Sequence, residues 1–136
     1  MEETPGPADE PLEWLKRARG NLVRAQQPLA GSYLEDLCFD AEQAAEKAIK
    51  AVLLRIGVPF PYTHDLARLL SMVETAGEQI PAEVREADAL TVFATTTRYP
   101  GTYEPVETEE YDAAVATAIS VVEWAERTVQ RLRPQS

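Results

Sequence analysis

From Leu34 to Leu54 the chain reads LEDLCFDAEQAAEKAIKAVLL, with neither proline nor glycine. At about 100° per residue this stretch sorts into two faces. Leu34, Leu37, Cys38, Ala41, Ala45, Ala48 and Val52 lie on one side. Asp36, Asp40, Gln43, Lys47 and Lys50 lie on the other. The alanines permit close helix approach. The acids come first and the lysines later, the order that the helix dipole favours. Such a segment must be a long helix with other helices packed on its small-residue face, so it is expected to be the central member of a helical bundle.

The flanking segments supply those partners. Helix one is expected from about Pro11 or Leu12 to Gln27, with Asp9 as N-cap and Glu10 and Glu13 near its positive end. Leu15, Ala18, Leu22 and Ala25 form its stripe, and Trp14 flanks it. Gly20 weakens its middle by about 1 kcal/mol relative to alanine. Pro28 ends it, and the short loop to Gly31 implies an antiparallel return. Ser32 is the expected cap of helix two, which runs to about Ile56 and stops at Gly57. Prolines at 59 and 61 then force an extended segment.

Thr63 is the expected cap of helix three, which carries Leu66, Leu69, Leu70 and Val73 and ends at Gly77. Pro81 opens helix four, expected to reach about Thr96 with Val84, Ala87, Leu90 and Ala94 inward. The chain breaks at Arg98-Tyr99-Pro100-Gly101. Helix five begins at Glu107 or Thr108. Its seam of Tyr111, Val115, Ala118, Val122, Ala125, Val129 and Leu132 alternates steps of four and three, the period for nearly parallel helix packing. No period-two alternation or hairpin signal occurs. The expected fold is an all-α up-and-down bundle of four long helices plus one short helix. It occupies residues 12–133, after a flexible acidic leader over residues 1–11 that is rich in proline. Apolar residues beyond one narrow stripe leave room for a dimer interface.

Composition narrows the chemistry. A net charge of −10 argues against a broad basic surface for nucleic acid, though not against a small basic pocket. The single cysteine, Cys38, excludes an internal disulfide and a cysteine-rich zinc site, and its place on the apolar face makes it a small buried hydrophobe. The single histidine, His64, excludes a site needing two. No carboxylate spacing suggests a metal, so neither metal nor cofactor is expected. No apolar run is long enough to cross a membrane, and the acidic N-terminus is unlike a secretory signal. These features fit a reducing cytoplasm.

No glycine loop for phosphates, nucleophile elbow or zinc helix is present. Three places nevertheless hold polar residues beyond what folding requires. The first is Asp40, Gln43, Glu46, Lys47 and Lys50 on helix two, where pairs such as Glu46–Lys50 also suit a plain solvated face. The second is Thr63-His64-Asp65-Leu66, which also suits a helix cap; a lone histidine can serve as a base or a phosphate contact. The third is Arg98-Tyr99-Pro100-Gly101, which also suits a helix stop; it would present an arginine beside a stacking aromatic ring.

Taken together, these places resemble the HEPN domain, a nucleotide-binding helical bundle. The resemblance is carried by residues 39–54 (FDAEQAAEKAIKAVLL), Gly57, Thr63-His64-Asp65-Leu66 and Thr97-Arg98-Tyr99-Pro100-Gly101, followed by a long last helix. It spans roughly residues 12–132.

The resemblance implies a bundle that is usually a dimer. Many small prokaryotic members pair with a minimal nucleotidyltransferase in a toxin–antitoxin or nucleotide-modification system. Others are metal-independent ribonucleases marked by an arginine, a polar residue, and a histidine after four to six positions. Here Arg98 is followed by Tyr99, Pro100, Gly101, Thr102, Tyr103 and Glu104, with no histidine. The expectation is therefore a binding module rather than an enzyme: a homodimer taking a nucleotide or a nucleotidyltransferase partner through Gln43, Lys47, Lys50, His64, Arg98 and Tyr99. The alternatives are a ribonuclease toxin cutting RNA with Arg98 and His64, and a dimerisation scaffold without ligand.

Overall fold

The computed structural model describes residues 10–94 and 105–132. Within them the order is α1 (Pro11–Ala25), α2 (Leu34–Ile56), α3 (Leu66–Thr75), α4 (Ala82–Arg85), a 3₁₀ segment (Glu86–Ala94) and α5 (Thr108–Arg131). No strand occurs among the described residues, and the all-α expectation holds. Among the same residues, no helix is long and apolar enough to cross a membrane.

Helix α2 is the centre of the packing. It touches α1, α3, α5 and the 3₁₀ segment. Thirteen of its 23 residues are buried, more than one face of a helix can account for. Neighbours therefore cover it on several sides, and part of its polar stripe is drawn inside. The expected apolar face is buried from Leu37 to Val52, and Leu34 is half-buried. Leu15, Ala18, Leu22 and Ala25 of α1 face it. On α5, Ala118, Val122, Ala125 and Val129 are buried along the expected seam. The Tyr111 hydroxyl donates to the Ala25 carbonyl at 2.5 Å, satisfying an acceptor in the last residue of α1.

Cap positions differ from expectation. Asp9 lies outside the described residues; Glu10 occupies the N-cap of α1 without a side-chain bond. Tyr33, not Ser32, is the N-cap of α2, again without a side-chain bond. The Ser32 hydroxyl instead accepts from the Leu29 N–H at 3.2 Å and closes the preceding loop. Asp65, not Thr63, caps α3, accepting from the Arg68 N–H at 3.2 Å. Thr63 accepts from the Asp65 N–H at 3.1 Å, one step earlier. Gly57 ends α2 as expected, at φ 87°, and the Val58 N–H reaches back to the Leu53 carbonyl at 3.0 Å.

The fourth helical region is not a long α-helix over its described part. One α turn passes into nine residues of 3₁₀ helix. Val84, Ala87, Leu90 and Phe93 are all buried, a spacing of three throughout. A 3₁₀ helix has three residues per turn, so it puts this row on one face. In an α-helix each step of three would fall about 60° short of a full turn and carry the row away from the core. Thr91 adds a polar tie, its hydroxyl accepting from the Leu66 N–H at 3.2 Å.

Candidate functional site

The polar side of α2 does not form one continuous solvated face. It divides into two networks. In the first, Lys50 donates to Glu46 Oε2 at 2.8 Å, and His64 Nδ1 lies 2.8 Å from Glu46 Oε1. Gln43 donates to Glu42 Oε1 at 2.8 Å. Glu42 is fully buried, and Lys50 and Glu46 have side chains only 5% and 7% exposed. The expected Glu46–Lys50 pair exists, but as a buried ion pair rather than a surface one.

Helical spacing explains the column. Glu42, Glu46 and Lys50 are successive steps of four, so they stand one above another on α2. The proline-bounded segment after α2 closes over them. Phe60 and Tyr62 place their rings 5.6 Å from the Lys50 ammonium, and the Tyr62 and His64 rings meet edge to face at 5.4 Å. The sequence carried the i, i+4 pattern, but the roles of Glu42, Phe60 and Tyr62 depended on where this segment folds back.

The two carboxyl groups are forced apart in acidity. Burial raises Glu42 to about 9, and the neighbouring Glu46 charge adds to the rise. Glu42 is therefore protonated at neutral pH. Its Oε2 has no hydrogen-bond partner among the described residues, and a hydrogen bond shared with Glu46 contributes to the rise. Burial also pushes Glu46 upward, but hydrogen bonds from His64, Lys50 and Glu42 outweigh it and hold Glu46 below its ordinary value. One carboxylate then faces one ammonium, which balances the buried charge. An ionised Glu46 also fixes the proton of His64 on Nδ1 and leaves Nε2 unbonded to the cluster. His64 is 35% exposed, at the edge of the protein.

The second network points toward α1. Lys47 donates to Asn21 Oδ1 at 2.7 Å, Asn21 donates to Asp40 at 3.0 Å, and Arg24 bonds Asp40 at 3.3 Å. Burial, then the Arg24 and Arg17 charges, lower the Lys47 pKa. Asn21 is buried, a role no periodicity in α1 signalled.

Of the expected site residues, Lys50 and His64 are brought together on Glu46, with Gln43 one bond further along. Lys47 belongs to the neighbouring network. Arg98 and Tyr99 lie outside the described residues. Glu42, Glu46 and His64 also bring donor atoms within 4.8 Å of one another, two oxygens and a ring nitrogen suited to a borderline dication. Lys50 already supplies positive charge there at 2.8 Å from Glu46, which opposes a second cation.

The sequence matches the HEPN domain over residues 12–128. No curated protein matches it. Among solved structures, it is similar to ST0689, an archaeal HEPN homologue. That match has 28% identity and a TM-score of 0.70, and covers 88% of this chain and 98% of the homologue. It is also similar to TT1696 from Thermus thermophilus, at 28% identity and a TM-score of 0.70, covering 87% of this chain and 97% of that one. A family match over most of the chain, together with two solved structures of similar fold, one of them a HEPN homologue, makes this protein a member of the HEPN domain family.

Proposed function

We propose that this chain is a HEPN binding module. It acts as a homodimer and takes a nucleotide, or a minimal nucleotidyltransferase partner, where the segment after α2 meets the polar side of that helix. The supporting observation is the placement of His64. Glu46 holds its Nδ1 at 2.8 Å, which leaves Nε2 for a phosphate oxygen or a partner side chain. Tyr62, 87% exposed, stands beside it as a stacking surface for a base. Lys50 and Gln43 act from beneath, by holding Glu46 and Glu42. Lys47, Arg98 and Tyr99 complete the proposed cationic and aromatic set.

Calorimetric titration with a panel of nucleotides tests this reading. Heat that is lost in His64→Ala and reduced in Lys47→Ala and Arg98→Ala supports the nucleotide version. No heat with any nucleotide leaves only the protein-partner version, which co-purification with a nucleotidyltransferase then decides. Light scattering tests the homodimer.

One observation favours a second reading, a metal-independent ribonuclease. A carboxylate-oriented imidazole is also the arrangement of a general base. RNA cleavage in EDTA, abolished in His64→Ala, would select it.

A further inference from the structure

A cleft of about 650 Å³ lies between the start of α1, the last turn of α2 and the end of α5. None of its lining residues belongs to the Glu46 or Lys47 networks. Leu12, Leu15 and Val129 form apolar walls, and Lys16, Arg19 and Arg55 line the same space. Among the described lining residues the one acid, Glu126, is already held by Arg19 through two bonds of 2.5 and 3.2 Å. Lys16 and Arg55 form no ion pair among the described residues. The Arg55 Nε is shut away from water and lacks a hydrogen-bond partner among those residues.

In a chain of net charge −10, two cations with no ion pair among the described residues, set beside apolar walls, are an exception. A buried N–H without an acceptor costs free energy that a bound acceptor would recover. The size falls within the range of small-molecule sites.

We propose that this cleft binds a small amphipathic anion: an apolar or aromatic body against Leu12, Leu15 and Val129, with one anionic head on Arg55 and Lys16. A guanidinium fork suits a carboxylate, sulfonate or phosphate monoester, and the neighbouring ammonium adds a point charge. This site is independent of the proposed His64 face.

The test is a fluorescence titration of the full chain with 8-anilinonaphthalene-1-sulfonate, which has this chemistry. Saturable binding at one probe per chain is expected. Arg55→Ala and Lys16→Glu should each weaken it by about tenfold, and Arg55→Lys by less. Arg68→Ala, on α3, should leave it unchanged. Lys16 is exposed, so its variant reports on the site even if Arg55→Ala impairs folding. Competition separates the sources of such a ligand: displacement by decanoate points to a fatty-acid-like anion, and displacement by AMP to a nucleotide. The proposal is overturned if binding is absent, if it ignores both charge variants, or if it emerges only when the protein is diluted from dimer to monomer. That last result would assign the cleft to a second copy of the chain.

Discussion

His64 Nδ1 and Glu46 Oε1 stand 2.8 Å apart although eighteen positions separate them in the chain. This contact ties the segment after α2 back onto the helix. It also gives the buried acid pair its outlet toward solvent, because Glu42 is fully buried and Lys50 nearly so. The site's properties follow from how Glu42, Glu46 and Lys50 share protons and charge beneath His64.

Stability should fall with rising pH through Glu42. Its folded pKa, about 9, lies above the ordinary 4.5. Between those values the folded state holds a proton that the unfolded chain has released. The contribution is therefore present below about 4.5 and lost as pH rises toward 9, with a slope of at most about 1.4 kcal/mol per pH unit. Glu46, held low, acts oppositely and only at acid pH, where its contribution is lost as pH falls. Glu42→Gln keeps a neutral donor toward Glu46 and has no proton to lose. Urea unfolding of both proteins at about pH 6 and about pH 8.5, inside the window between the two pKa values, should show a flatter response for the variant. Equal slopes would mean that Glu42 is ionised in the fold.

Lys50→Met should destabilise the protein by about 3–5 kcal/mol, the usual cost of leaving one member of a buried pair without its partner. The double variant Lys50→Met with Glu46→Gln removes both charges and should recover a large part of that loss. Thermal and denaturant midpoints measure both. A single variant as stable as the parent would show that Glu46 does not depend on the ammonium.

Cys38 should be chemically silent in the native protein. It is fully buried, and burial, reinforced by Glu110 and Glu35, raises its thiol to about 12. The thiolate is the reactive form, so Ellman's reagent should react only after unfolding. Rapid labelling at neutral pH in the folded state would contradict the packing of α2.

Gly57→Ala should cost about 1–2 kcal/mol through backbone strain alone. The residue sits at φ 87°, and an added Cβ would meet nothing within 4 Å. Tyr111→Phe should cost about 1–3 kcal/mol by a different route, leaving the Ala25 carbonyl without its donor. Denaturant unfolding distinguishes the pair from surface changes such as Arg68→Ala, expected within about 0.5 kcal/mol.

The central helix, its apolar face, the inward residues of α1, α3 and α5, and the glycine stop at Gly57 were all legible in the sequence. Side-chain period and backbone φ preference are local properties, written wherever the helix is written. The caps were less legible. Ser32, Thr63 and Asp65 all have oxygens that can satisfy an N–H, and which one begins the helix depends on how the preceding loop closes. Helix four failed for a related reason. Val84, Ala87, Leu90 and Phe93 carry a period of three, but a helical reading absorbs it until the neighbouring helices impose the tighter winding.

The site divided along the same line. The steps from Glu42 to Glu46 to Lys50 were local and readable as a column. Whether that column faced water was decided by the chain from Val58 to His64, which packs over it and strips its hydration. Desolvation pushes both Glu42 and Glu46 upward, and the hydrogen bonds from His64 and Lys50 bring Glu46 back down; the burial and the His64 contact depend on residues far apart in the chain. The amino-acid order specifies the bundle through local periodicity, and long-range packing selects which of its polar residues lose their water.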